Sequence, residues 1–357
     1  MMKNKIAFFL PSLNIGGIER VFLCYANNIV KRGYNVDFVV CKREGLLLAD
    51  LSPRVNLVNL GDIQLRKSLF SLRKYLKEYQ PDVVMTGGDY PNIMLIFSSL
   101  GLHIKSKIVI SQHNFYNIEV RDLGLWARAT LIFMRIFYPL ADRIIAISDG
   151  ISSFLVGKLN LSPDKVIRIC NPIDITDVIA KSNQVPSVSL PDNYIVFIGR
   201  ISAVKNLNML LQAFDIAKIG DTCLVIVGDG KELSLIQQRI LMMSKKDKVF
   251  CVGGVSNPLP ILKKSRLLAL PSFSEAFPTI LLEAMCLNKP IVATPTKGAL
   301  EILQGIDGTF ISAGFDDAAD FSALIEKAVC VMDIDMSQYV KKYSSENIVE
   351  DFLNKIL

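Results

Sequence analysis

The chain has 357 residues, of which 51% are hydrophobic and 21% charged, with a formal net charge of +6. That balance describes a globular protein long enough for two domains and excludes a disordered or low-complexity chain. Seven cysteines without a C-x-x-C pair exclude a disulfide framework and a zinc knuckle, and read as small core residues.

The apolar run Ile6 to Leu10 is too short for a secretory signal and reads as a first buried strand. No run approaches the roughly 18 apolar residues of a membrane span. The best candidate, Ile132 to Ile147, is broken by Arg135, Pro139, Asp142 and Arg143. The expected location is therefore cytoplasmic.

Further strand-like runs follow in alternation with helical patterns: Val36 to Cys41, Val83 to Met85, Ile108 to Ser111, Ile144 to Ile147 and Val166 to Cys170. This alternation predicts a parallel sheet with crossover helices. After Asn171-Pro172-Ile173-Asp174 the pattern loosens into a polar stretch with two prolines. A second series then runs through Tyr194 to Ile198, Thr222 to Val227, Val249 to Val252, Leu267 to Leu270, Ile291 to Ala293 and Gly308 to Ile311. The predicted fold class is α/β, with two facing doubly wound Rossmann-like domains and a cleft between them. Residues 1–175 form the first domain, 176–192 a linker, 193–338 the second domain, and 339–357 an amphipathic terminal helix.

Charge is uneven along the chain. Residues 1–170 hold 22 Lys and Arg against 13 Asp and Glu, whereas the remainder has 18 against 21. The basic half suits an anionic membrane surface or a diphosphate-linked lipid, and solvated basic helix faces account for it equally well. Nucleic acid is not expected, because zinc-finger spacing, a basic zipper and aromatic RNA-binding signatures are all missing.

The chemistry-bearing residues fall just after predicted strands, where open α/β sheets bind ligands. Gly16-Gly17 after the first strand would let backbone amides approach a phosphate or sugar, or simply make a tight turn. His113 ends a strand and is placed to contact a sugar hydroxyl, although a lone histidine is more often structural; His103 sits in a loop context and receives no role. With two distant histidines, no metal site is expected. The segment Trp126 to Pro139 mixes Arg128 and Arg135 with a thick apolar stripe, the pattern of a buried helix or, with less weight, of one lying on a membrane.

In the second series, Gly199-Arg200 opens a turn leading to Lys205. The guanidinium and the ammonium both suit a diphosphate whose negative charge grows as a bond breaks. Then Ser-Glu275-Ala-Phe-Pro-Thr-Ile-Leu-Leu-Glu283 follows the run Leu267 to Leu270. It reads as strand, turn and helix, with the helix beginning near Phe277 and Pro278 in its first turn. An open helix start between two carboxylates suits a nucleotide sugar, its amides on the diphosphate and its carboxylates on hydroxyls.

Taken in order, Gly199-Arg200, Lys205, Gly228-Asp229-Gly230 and the Glu-x7-Glu element resemble the retaining, family 4 glycosyltransferases of the GT-B fold, over almost the whole chain. The resemblance implies a second domain holding a nucleoside diphosphate sugar, chiefly a UDP-sugar, and a first domain recognising the acceptor. It assigns the reaction to Arg200, Lys205, Glu275 and His113, with Arg200 and Lys205 on the diphosphate, Glu275 on the transferred sugar and His113 near it. It assigns donor binding to Gly16, Gly17, Gly199, Gly228, Phe277, Thr279, Ile280, Glu283 and Glu301, with Glu283 on the ribose. The terminal helix is expected to cross back onto the first domain. Two positions depart from the family pattern: Ala276 stands where glycine is usual, and Lys297-Gly298 replaces a glycine pair near Glu301.

The implied reaction is transfer of a sugar to an acceptor hydroxyl with retention, needing no metal and no cofactor beyond the donor. The implied acceptor is a polyprenyl-diphosphate-linked glycan in lipopolysaccharide, O-antigen or capsule assembly, reached from the inner face of the cytoplasmic membrane. Two other readings share the layout: a sugar-nucleotide epimerase, and a noncatalytic donor- or lipid-binding partner of another transferase. A dinucleotide dehydrogenase is disfavoured, since no Gly-x-Gly-x-x-Gly follows either opening strand.

Overall fold

The computed structural model describes residues 4–61, 64–115 and 124–357, the side chains of the last stretch from residue 129 onward. The chain divides into two compact units, Met1–Pro172 with Tyr343–Leu357, and Ile173–Lys342.

The first unit is built on seven parallel strands: β1 (Lys5–Leu10), β2 (Asn35–Val40), β3 (Asn56–Asn59), β4 (Val83–Gly87), β5 (Lys107–Gln112), β6 (Arg143–Ala146) and β7 (Val166–Arg168). Their spatial order is 3-2-1-4-5-6-7. Helices cover the sheet, so β1 reads as a continuous apolar run instead of an alternation, with every residue from Ile6 to Leu10 buried. Phe22, from the helix Gly17–Lys31, meets Phe8 edge to face at 5.7 Å.

Strand β3 was not among the expected elements. Its sequence Asn-Leu-Val-Asn is short and polar because it lies at the sheet edge, where Asn56 donates to the buried Asp37 carboxylate at 2.9 Å.

The last helix, Ser345–Ile356, begins where the Ser344 hydroxyl accepts from the Asn347 amide. It lays Val349, Phe352 and Ile356 into the core that holds Phe8 and Tyr25, with the Phe352 ring 5.1 Å from Tyr25. Lys107 Nζ donates to the carbonyl oxygens of Ile356 and Leu357 at 2.9 and 2.8 Å, tying down the helix end. Complete burial of Phe352 alone is worth about 1.5–3 kcal/mol.

The second unit carries six parallel strands: β8 (Tyr194–Ile198), β9 (Cys223–Val227), β10 (Val249–Gly253), β11 (Leu268–Leu270), β12 (Ile291–Ala293) and β13 (Thr309–Ile311). Their order is 10-9-8-11-12-13. Both sheets therefore reverse their strand succession once, between β1 and β4 and between β8 and β11, and the carboxyl ends of strands at such a reversal are where open α/β sheets bind ligands.

The expected linker 176–192 is not a linker in its first part. Residues Ile175–Ser182 form a helix, capped where the Asp174 carboxylate accepts from the Asp177 amide. That helix packs on the second unit, against the helices Leu259–Lys264 and Thr279–Cys286, which moves the boundary back to Pro172 and Ile173.

Candidate active site

Sheet topology brings Lys205 and Glu275 together although 70 positions separate them. Lys205 ends the short 3-10 turn Ala203–Lys205 after β8, and Glu275 lies in the loop after β11, the neighbouring strand across the reversal. Lys205 Nζ stands 2.6 Å from Glu275 Oε1, and the Ser272 hydroxyl donates to the same oxygen at 2.6 Å. The side chains are 23% and 10% exposed, so the pair is half-withdrawn from water with one edge open.

Several contacts hold these two side chains at fixed positions. Asn206 adopts a left-handed conformation (φ 50°) that ends the turn, and its side chain donates to the Phe315 carbonyl at 2.8 Å. The Phe273 amide donates to the Val204 carbonyl at 2.8 Å, joining turn and loop directly. On the other side the Gly298 amide donates to the Glu275 carbonyl at 3.0 Å. A Cβ at Gly298 would lie 2.7 Å from the Ala276 carbonyl carbon, so the single glycine kept from the usual pair is the one the packing requires.

Gly199 and Gly228 are also brought together. Gly228 has φ 147°, and a Cβ there would fall 1.9 Å from the Gly199 oxygen. The Gly199 amide donates to the Val227 carbonyl and the Ile201 amide to the Asp229 carbonyl, so the loops after β8 and β9 lie back to back. Arg200 projects from the first of them as an exposed side chain.

The helix Thr279–Cys286 starts two residues later than the spacing predicts. Pro278 takes the cap position with an extended backbone (ψ 104°), and Phe277 is buried ahead of it. Thr279 and Ile280 form the first helical residues, both half-buried, where backbone amides have no acceptor within the helix. Glu283 is half-buried one turn on, and its charge adds to burial in pushing the Cys286 thiol up to about 12. Glu301 is half-buried in the helix Lys297–Leu303.

The remaining candidates belong to the first unit. Gly16 caps the helix Gly17–Lys31 with an extended backbone, and a Cβ there would fall 2.1 Å from Glu19 Oε2. The Glu19 carboxylate thus folds back over that helix start, a place where Gly16 and Gly17 were expected to receive a donor. His113 is buried, 2.8 Å from the Ser111 hydroxyl and 6.1 Å ring to ring from Phe22. Burial pushes its pKa down to about 4, so at neutral pH it is an uncharged hydrogen-bonding group. His103 is exposed.

The helix Gly124–Phe137 has one side buried in the first unit and another exposed. Met134 and the following Tyr138 are buried, while Ile132, Phe133 and Ile136 on its other side are exposed. The side chains of Trp126 and Arg128 lie outside the described residues. Among the described residues no helix is long and apolar enough to cross a membrane.

Sequence reasoning passed over Asn206, and also Asp89, whose carboxylate sits half-buried after β4. Asn206 carried a signal, since Lys-Asn-Leu-Asn before an apolar helix is where a left-handed residue is common.

Residues 15–177 match the family model described as Glycosyltransferase Family 4, and residues 179–344 match that described as Glycosyl transferases group 1. Among curated relatives, an α-1,4-N-acetyl-D-galactosaminyltransferase of Campylobacter jejuni, named for a diNAcBac-PP-undecaprenol glycan, is 27% identical over 90% of this chain and 88% of its own length. A UDP-Gal:α-D-GlcNAc-diphosphoundecaprenol α-1,3-galactosyltransferase of Escherichia coli is 24% identical over 98% of this chain and 93% of its own. The solved structure of Anabaena Alr3699/HepE in complex with UDP and glucose superposes with a TM-score of 0.79, at 18% identity and 99% coverage of both chains. With one glycosyltransferase model matching each half and two Rossmann-like units carrying the matches, the chain belongs to the family 4 glycosyltransferases of GT-B fold.

Proposed function

We propose that this enzyme transfers a hexose or N-acetylhexosamine from a UDP-sugar to a polyprenyl-diphosphate-linked glycan, with retention of configuration and without a required metal. The observation that carries the reading is the Lys205–Glu275 pair, held at the strand-order reversal beside the helix start at Thr279.

A cation, open helix amides and two carboxylates form the arrangement a sugar diphosphate needs. Arg200 and Lys205 stabilise the charge that grows on the departing diphosphate, the part a metal plays elsewhere. Glu275 holds hydroxyls of the transferred sugar and Glu283 the ribose. Phe277, Thr279, Ile280, Gly199, Gly228 and Glu301 shape the pocket around them. His113, neutral at working pH, serves as a hydrogen-bonding group and not as an acid. Support for UDP comes from the Anabaena structure, and support for a lipid-linked acceptor from the relatives' names.

The first unit supplies a surface suited to such an acceptor. Ile132 (55% exposed), Phe133, Ile136 and Leu140 are exposed on or just after the helix Gly124–Phe137, and Phe97 and Leu100 are exposed on and just after the helix Asp89–Ser99 packed against it, with Arg135, Arg143 and Lys158 exposed nearby in sequence. The Phe97 and Phe137 rings lie 4.3 Å apart, linking the two helices. An exposed apolar stripe with basic neighbours binds anionic bilayers peripherally. Sedimentation with anionic vesicles should show binding that weakens with salt and with Phe133→Ser; vesicle binding insensitive to both would remove the membrane claim.

The reaction is tested by titrating UDP into the protein and following UDP release from a panel of UDP-sugars. Release that rises when a polyprenyl-diphosphate glycan extract is added is expected. Conversion of the donor sugar without any acceptor would instead identify an epimerase.

A further inference from the structure

The first unit contains a chain of buried polar side chains that ends on one carboxylate. The Asn92 amide donates to the Tyr138 hydroxyl at 2.9 Å, and that hydroxyl donates to Gln112 Oε1 at 2.9 Å. Gln112 Nε2 then donates to Asp89 Oδ1 at 2.8 Å and to the Asn114 carbonyl at 2.9 Å. Asn92, Tyr138 and Gln112 are each 0% exposed. Because Tyr138 occupies the Gln112 oxygen, the amide cannot flip, and its N–H must face Asp89.

Asp89 itself opens the helix Asp89–Ser99 directly after β4, the strand next to β1 where the first sheet reverses its order. The preceding Gly88 has φ 95°, and a Cβ on it would lie 3.4 Å from Ile18 at the start of the helix Gly17–Lys31. A Cβ on Gly87 would lie 2.8 Å from the Ser111 hydroxyl, the group that contacts His113. Asp89, Gln112, His113 and the Gly16-Gly17 turn thus gather at one carboxyl edge of this sheet.

A structural carboxylate partly withdrawn from water, as the half-buried Asp89 is, is ordinarily paired with a cation. Among the described residues, Gln112 is the hydrogen-bonding partner of Asp89 and no ion pair includes it. Burial dominates its environment and raises its pKa to about 6, against the lowering effect of the Gln112 hydrogen bond. Three buried side chains are spent on aiming a group whose ionised form they do not neutralise. Such an expenditure is typical of a ligand site.

We infer that Asp89 is an acceptor-specificity residue, accepting a hydrogen bond from a sugar hydroxyl of the glycan acceptor while Gln112 and Tyr138 hold its carboxylate in place. The inference rests on the transferase reading above and adds the group that selects the acceptor within the first unit. A charge-assisted bond from a sugar hydroxyl suits a carboxylate that has one oxygen committed to Gln112 and the other available.

Asp89→Asn tests this without dismantling the relay. The amide oxygen of the new side chain can still accept from Gln112, which places an N–H2 donor where the carboxylate offered an acceptor. A hydrogen bond to a charged group is worth about 1.5–3 kcal/mol, so kcat/KM for the lipid-linked acceptor should fall roughly 10- to 100-fold. UDP affinity by calorimetry and slow hydrolysis of the UDP-sugar in water should stay within about twofold of wild type by the same reasoning. Tyr138→Phe, which loosens Gln112 and leaves Asp89 in place, should give a smaller loss in the same acceptor parameter. Transfer to the acceptor undiminished in Asp89→Asn, or a parallel loss of UDP affinity, would overturn the assignment of Asp89. If Asp89→Asn does not fold, an unchanged acceptor kcat/KM in Tyr138→Phe would overturn it instead. A wild-type enzyme that binds no UDP and releases none from any UDP-sugar would contradict the transferase reading itself.

Discussion

Replacing Glu275 by glutamine and Lys205 by alanine should move donor binding in opposite directions. Lys205 Nζ lies 2.6 Å from Glu275 Oε1, with 23% and 10% of the side chains exposed. An incoming diphosphate must share or take over that ammonium. A charged hydrogen bond in such a half-buried setting contributes about 1.5–3 kcal/mol. Removing the carboxylate charge in Glu275→Gln releases Lys205, so UDP should bind at least as tightly as to wild type and up to about tenfold tighter, equivalent to about 1.4 kcal/mol. Lys205→Ala removes the attraction and leaves Glu275 near the diphosphate, so UDP affinity should drop about tenfold or more. Turnover should fall on the order of 100-fold in both, because Glu275 contacts the transferred sugar and Lys205 the departing phosphate. Calorimetry with UDP gives the affinities, and transfer under saturating donor gives the rates. If Glu275→Gln weakens UDP as much as Lys205→Ala does, the ion pair is not a stand-in for the donor and the reasoning fails.

Other expectations can be measured alongside. Gly228→Ala places a Cβ 1.9 Å from the Gly199 oxygen at φ 147°, and should lower the melting temperature and UDP affinity together; a variant as stable as wild type would show that the two loops can separate. Gly298→Ala meets the Ala276 carbonyl carbon at 2.7 Å, and should reduce turnover by displacing Glu275, visible as a kcat loss at saturating donor. His113 is held down to about 4, so the unfolded chain binds its proton first, and its contribution to stability is complete above about pH 6.5 and lost as pH falls toward 4. The difference is roughly 3 kcal/mol, and urea melts at pH 7.5 and 4.5 should show His113→Gln less acid-sensitive than wild type. Asp89, raised to about 6, acts with the opposite sign: stability is lost as pH rises from about 4 to 6, and Asp89→Asn should recover about 1–3 kcal/mol at pH 7.5.

Much of this architecture was legible because parallel strands covered on both faces write themselves as apolar runs, as Ile6 to Leu10 and Tyr194 to Ile198 do. Strand β3 escaped because an edge strand with two asparagines has no such run. The helix Ile175–Ser182 escaped because prolines downstream drew attention from its Asp174 cap. Glu275 and Lys205 were legible as donor-binding types, whereas their mutual contact is a product of strand order and carries no local signal. Asp89 was illegible for a related reason: its environment comes from Gln112 and Tyr138, which are 23 and 49 positions away and reach it only through the sheet. The two-carboxylate picture also changed, since Glu275 lies outside the helix and is paired with Lys205.

The central claim is that the site around Lys205 transfers sugar from a UDP donor to a lipid-linked glycan. Mass spectrometry of a polyprenyl-diphosphate glycan extract after incubation with UDP-hexoses and UDP-N-acetylhexosamines tests it directly. The account predicts an acceptor heavier by one sugar residue with wild-type enzyme, and on the order of 100-fold slower formation with Lys205→Ala. An acceptor unchanged with every donor, or modified equally fast by Lys205→Ala, would contradict it.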